Sequence, residues 1–199
     1  MNKECRSFKT ELSEDNRFVE GYALVFNSQS NDLGGFKEII EPSSLDGVLE
    51  RSDVLCLLNH NEDKGVLARY NMGTGSLELS VDEKGLKYRF EAPHTALGEE
   101  LLEGLKRGDI TTSSFAFSVE EDDWTETADG TYLRTINKFD RLYDVSPVYR
   151  PAYSETMVEL GKRSLDKLEE LKEQKNEKRK ALKEYYESLR KTIKDCTEI

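Results

Sequence analysis

The chain has 199 residues, 36% hydrophobic and 35% charged, with a formal net charge of −11, a length that fits one domain with an appendage. Residues 1–160 hold 17 Lys and Arg against 31 Asp and Glu, a net of −14, whereas residues 161–199 hold 12 against 9, a net of +3. An acidic body argues against general nucleic-acid binding, which needs a Lys/Arg surface to meet phosphates. No apolar run approaches the length of a membrane span, and no signal-peptide core opens the chain. Cys5, Cys56 and Cys196 are odd in number and far apart, without a C-x-x-C pair, so neither a disulfide framework nor a zinc site is expected. These features point to a soluble protein of a reducing compartment, with no metal or cofactor.

Taken in chain order, residues 1–30 alternate apolar and polar, with Phe18, Tyr22, Leu24 and Phe26 at strand spacing. Asn31, Asp32, Gly34 and Gly35 form a loop before a short strand, FKEII. Pro42-Ser43-Ser44-Leu45 reads as a helix start and LDGVLER as a short helix. DVLCLLNH is a nearly continuous apolar run and reads as a buried strand, with Cys56 a small core residue. VLARY and SLELSVDEKGLKYRFEAP supply further strands, with a hairpin turn at residues 82–85. From Thr95, Leu97, Leu101, Leu102 and Leu105 repeat at helical spacing, and Gly108 fits a C-terminal cap. Strands resume at ITTSSFAFSVEEDDW and, after a turn at Asp129-Gly130, at TYLRTINKFDRLYDVSPV. About eight strands and two helices fill the body, a pattern that closes most easily into a barrel or a packed-sheet core. Residues 161–199 hold no proline, and no glycine after Gly161; Leu168, Leu171, Leu182, Tyr185 and Leu189 fall on a 3-4 spacing interrupted by Lys175 and Lys178. This reads as one long, weakly amphipathic helix, or a coiled coil with a break, that pairs with a partner or with itself or else frays; a disordered charged tail fits the composition equally well. The composition shift near Lys162 marks the domain boundary.

Three segments carry potential chemistry. His60 ends the apolar run LLNH ahead of turn residues, where a half-exposed imidazole can titrate; an ordinary loop histidine fits the same place. Ser113 and Ser114 open a rigid strand after a helix and a glycine, where a nucleophile has a fixed backbone; a solvated strand face rich in Ser and Thr fits as well. Asp144 lies among apolar residues in LYDVSPV, where a carboxylate needs a donor, and a histidine N–H or a backbone cap can supply it. Pro147 and Pro151 restrict that segment to an edge strand or a turn. Arg150 is a fixed cation able to stabilise an oxyanion, or a plain surface arginine. The other histidine, His94, reads as a loop residue. Two histidines 34 residues apart, with no H-x-x-x-H, disfavour a metal-dependent hydrolase.

Together the segments resemble the signature of tailed-phage prohead (procapsid maturation) serine proteases, whose fold is similar to that of the herpesvirus assemblins. The family pattern appears as GYALVFN at residues 21–27, LLNH ending at His60, LAR at residues 67–69, SFAF at residues 114–117 and LYDVSPVYRPA at residues 142–152. The order is kept across residues 18–157. Many relatives carry Gly where Ala116 stands and Glu where Asp144 stands.

The resemblance implies an α+β fold, mainly an antiparallel β-barrel with surrounding helices, plus the long C-terminal helix. It divides the chain into a protease domain, residues 1–160, and a charged helical tail, residues 161–199, which is either a scaffold-interacting segment or a removable linker. It implies a serine endopeptidase with Ser114 as nucleophile, His60 as general base and Asp144 as the third member, with Arg150 helping backbone N–H groups to bind the oxyanion. Strand alternation also favours Ser114 over Ser113, because Ser114, Ala116 and Ser118 share one face and Phe115 and Phe117 the other. The implied partners are the major capsid protein or its scaffold segment and a second copy of the chain, as a homodimer or larger oligomer, with no nucleic acid and no membrane. The implied place of action is the immature procapsid in the host cytoplasm, and self-cleavage is implied as well. The competing expectation is a catalytically inactive capsid assembly or scaffolding protein that keeps the fold.

Overall fold

Short runs of β-branched and aromatic residues recur through the body, and they emerge as strands. The computed structural model describes the backbone of residues 4–12, 17–149 and 162–197, and the side chains of residues 17–149 and 166–188. Two compact units are present, Met1–Gly161 and Lys162–Ile199.

The first unit carries β1 (Glu4–Leu12), β2 (Phe18–Val25), β3 (Phe36–Ile40), β4 (Asp53–Cys56), β5 (Ala68–Asn71), β6 (Thr74–Gly75), β7 (Leu77–Val81), β8 (Gly85–Glu91), β9 (Thr112–Glu126) and β10 (Tyr132–Val148). One α-helix, α1 (Ala96–Arg107), lies between β8 and β9. The strands form one sheet in the order β6-β5-β4-β10-β9-β1-β2-β8-β7, with β3 also paired to β10. The sheet is mixed, because β3 and β4 both run parallel to β10 while its other pairings are antiparallel. The fold is therefore α+β, but the expected closed, mainly antiparallel barrel is not formed among the described residues. The sheet path ends at β6 and β7, which do not pair with each other. Only Ser76 separates β6 from β7, too little chain for the two to fold back and pair, and the Ser76 hydroxyl accepts from Arg69 N–H of β5 at 3.2 Å.

The hairpin of β9 and β10 is the spine of the sheet. Buried Arg134 on β10 donates to Asp122 on β9 at 2.6 Å and to Glu38 on β3 at 3.1 Å, which ties three strands at one point. One sheet face packs the core, where the Phe117 ring sits 4.9 Å from Phe115 and 4.7 Å from Phe139 between centroids. Leu101 and Leu102 of α1 join this core, as the helical spacing requires. Thr95 caps α1, its hydroxyl accepting from Gly98 N–H, and Gly108 ends the helix in the left-handed region at φ 75°, which suits a residue without Cβ.

Residues 42–51, read from sequence as the start and body of a helix, instead form two short 3-10 turns, Pro42–Leu45 and Leu49–Arg51. Gly47 between them has φ 67°, which breaks helical continuity. The hairpin at residues 82–85 forms as expected, with Asp82 Oδ1 accepting from the N–H groups of Lys84 and Gly85. The second unit is a single continuous helix, α2 (Lys162–Thr197), on which Leu182, Tyr185 and Tyr186 are each more than half exposed.

Candidate active site

The apolar run DVLCLLNH begins as β4 but leaves the ladder after Cys56. Leu57 and Leu58 stay buried. The chain then turns through Asn59 and His60, at φ 56° and 57°, and Asn61 N–H donates back to Leu58 C=O at 3.2 Å. Two successive left-handed residues closed by this bond make a turn of the type I′ kind. Non-glycine residues rarely adopt this conformation, and Asn and His are among those that tolerate it best. Asn59 N–H donates to Pro147 C=O at 2.9 Å, which ties the turn to β10. On the other side, Asn61 Oδ1 accepts from Asp63 N–H and caps the 3-10 turn Glu62–Lys64.

Asp144 arrives on β10 through a bulge. Leu142 pairs with Phe117 and Asp144 with Ala116, so Tyr143 is an extra residue on β10. Leu142 belongs to the core, and strict alternation would put Asp144 on that same core face. The bulge moves Asp144 to the opposite face and returns Val145 to the core. There Asp144 Oδ1 lies 2.5 Å from His60 Nδ1, with 1% of the acid side chain and 22% of the imidazole exposed. The Asp144 charge also reaches Cys56, whose thiol is pushed well above its usual range, first by burial and then by this carboxylate.

Ser114 lies directly across from Ser146 of β10, and both are fully buried. Opposed residues share a face, so Ser114 and Ala116 stand with Asp144 and Ser146. Ser113 points the other way, into the core, where its hydroxyl lies 2.8 Å from the Tyr88 hydroxyl. Ser114 Oγ and His60 Nε2 are both buried and have no hydrogen-bond partner among the described residues, so the two atoms are not bonded to each other.

The structure thus joins His60 to Asp144 and sets Ser114 on the same sheet face. Arg150 lies outside the described residues. His94 is exposed in the loop before α1. Pro147 does not sit on an outer strand, since β10 is interior, but it falls past the last β4 pairing, Val145 with Cys56, where a missing N–H breaks no ladder bond on that side.

Sequence reasoning did not single out Ser146, whose hydroxyl donates to Asp144 Oδ1 at 2.7 Å. Its signal was the spacing of two from Asp144, which in a strand keeps both on one face. It also did not single out Glu100 of α1, which accepts from Lys64 beyond the His60 turn at 3.0 Å and from the Tyr149 hydroxyl beyond β10 at 2.9 Å. The Lys64 bond and then the Tyr149 bond hold the Glu100 carboxyl below its usual range, while burial and then Glu100 raise the Tyr149 hydroxyl.

Residues 5–171 match the sequence pattern of the Caudovirus prohead serine proteases. The chain belongs to that family. It is accordingly a phage prohead protease, a peptidase of capsid assembly. Among solved structures it is similar to the bacteriophage T4 capsid assembly protease, gp21, with a TM-score of 0.50 and 13% identity, over 75% of this chain and 98% of that one. At that identity the likeness concerns fold alone. No curated protein matches the chain. No helix among the described residues of this prohead protease is long and apolar enough to cross a membrane.

Proposed function

We propose that this prohead protease is an endopeptidase that cuts scaffold segments of the major capsid protein, and itself, inside the immature procapsid in the host cytoplasm. Ser114 attacks the scissile carbonyl and His60 Nε2 takes its proton. Asp144 holds the Nδ1–H tautomer and stabilises the imidazolium that forms. His60 then returns the proton to the leaving amine. The single observation that carries this reading is the His60–Asp144 hydrogen bond, made on the sheet face that also bears Ser114. It fits a triad because Nδ1 is occupied by the acid and Nε2 is left without a partner.

The backbone of β9 around Ser114 is paired on both sides, with β1 and with β10. Donors to the oxyanion therefore come from outside this ladder, and Arg150 with loop N–H groups fits that requirement. The helical tail serves as the segment that docks the protease to the scaffold or to a second copy, in line with its mild positive charge beside an acidic body.

A second reading, an inactive assembly protein of the same fold, is favoured by the missing Ser114–His60 bond and by the full burial of Ser114. Purified wild-type chain and Ser114→Ala, each mixed with capsid precursor, separate the two. Cleavage by wild type alone is the expected outcome. Equal behaviour of the two proteins in an assembled sample overturns the protease assignment for this chain.

A further inference from the structure

We propose that Ser146 is a positioning residue of the same site, fixing the Asp144 carboxylate for His60; the inference rests on the triad reading above. Ser146 is fully buried and donates its hydroxyl to Asp144 Oδ1 at 2.7 Å. That oxygen is the one that faces His60 Nδ1 at 2.5 Å. A carboxylate with 1% of its side chain exposed needs donors to remain charged without water. The terminal torsion of an aspartate is broad and weakly restrained, so each donor to the carboxylate narrows how it points. With two donors converging on Oδ1, the plane of the acid is set from the strand as well as from the turn.

Ser146 is also the residue directly across from Ser114. Opposed residues in an antiparallel pair have Cβ atoms about 4.5–5.5 Å apart. One hydroxyl therefore ties the acid to the ladder position that faces the nucleophile. The bulge at Tyr143 and the Ser146 bond work together: the first brings Asp144 to the face, the second fixes how it points. Ser113 provides a matched comparison, being a fully buried serine of the same hairpin whose hydroxyl bonds to Tyr88 on the core side.

The test compares steady-state cleavage by wild type, Ser146→Ala, Ser146→Cys, Ser146→Thr and Ser113→Ala. Ser146→Cys fills the space with a poor donor, and Ser146→Thr keeps the hydroxyl. The expected result is a fall in kcat of roughly 10- to 100-fold for the Ala and Cys variants, with KM unchanged, as for a small misplacement of a reacting group. Ser146→Thr recovers most of the loss, and Ser113→Ala keeps wild-type kcat. Wild-type kcat in a folded Ala or Cys variant overturns the inference while leaving the protease assignment standing. A readout without substrate is the nitrogen NMR shift of the His60 ring, which reports its tautomer. A change in Ser146→Ala or Ser146→Cys but not in Ser113→Ala is expected; an unchanged ring in both Ser146 variants overturns the inference even where wild type proves inert.

Discussion

Ser113 and Ser114 are neighbours on β9 and equally buried, yet they belong to two different regions of the molecule. Ser113 looks into the core among Phe115, Phe117 and Tyr88, and its hydroxyl is bonded there. Ser114 looks to the opposite face, toward Asp144 and Ser146, and its hydroxyl has no partner among the described residues. A bonded buried hydroxyl adds cohesion, whereas an unbonded one costs its desolvation. The contrast teaches that one strand satisfies its buried hydroxyl on one face and leaves one without a partner among the described residues on the other.

Substitutions that break this contrast differ widely in expected size. Under the proposed triad, Ser114→Ala is expected to lower kcat by about 10⁴-fold or more while binding remains, and a burst and turnover assay with capsid precursor measures it. Under the same proposal, Asp144→Asn is expected to lower kcat by about 10⁴-fold through the wrong imidazole tautomer, with little change in KM. The stability effects run the other way. Ser113→Ala costs about 1 kcal/mol of unfolding free energy, because Tyr88 loses a buried partner, and leaves kcat unchanged. Ser114→Ala leaves stability equal or raises it by about 1 kcal/mol, since it removes a buried hydroxyl with no bond to lose. Urea unfolding of the two variants, side by side, shows the opposite signs.

Smaller effects sharpen the turn and the hairpin. Asn59→Ala costs about 1 kcal/mol through the left-handed backbone, and Asn59→Gly costs less, as thermal unfolding will show. At the β9–β10 tip, the Thr127 hydroxyl, then the Thr131 hydroxyl and N–H, hold the Asp129 carboxyl at about 2, below an ordinary 3.8. A lowered folded value means that its support of the turn is complete above the unfolded value and is lost as pH falls toward about 2. Amide exchange at Gly130 and Thr131 should therefore quicken over that interval before the core opens.

Much of the fold was legible in the residues. Period-two alternation located β2, β3, β8 and β9, and the leucine spacing with Thr95 and Gly108 located α1 within a residue or two. His60, Ser114 and Asp144 were each readable as an ordinary residue, and only the resemblance of three ordered segments drew them together; alternation separated the faces of Ser113 and Ser114 without saying which face carries chemistry. Other features were not legible. Residues 42–51 carry helix-start chemistry, but Gly47 and the short span leave only 3-10 turns. Barrel closure depends on the end strands pairing, and the two ends here, β6 and β7, are successive segments separated by Ser76 alone, which cannot fold back into a ladder. DVLCLLNH reads as one strand, yet its last residues make a left-handed turn tied to Pro147.

Local chemistry alone determined which residue types were available for catalysis, where strands and the main helix run, and that the acid body and the basic-leaning tail differ. Only tertiary structure decided that Asp144 meets His60. Alternation sends Asp144 to the core side with Leu142, and the single extra residue at Tyr143 sends it to the side of Ser114. Side-chain direction in a strand has period two, so one inserted residue reverses every later side chain, and no local preference reports whether the partner strand allows it.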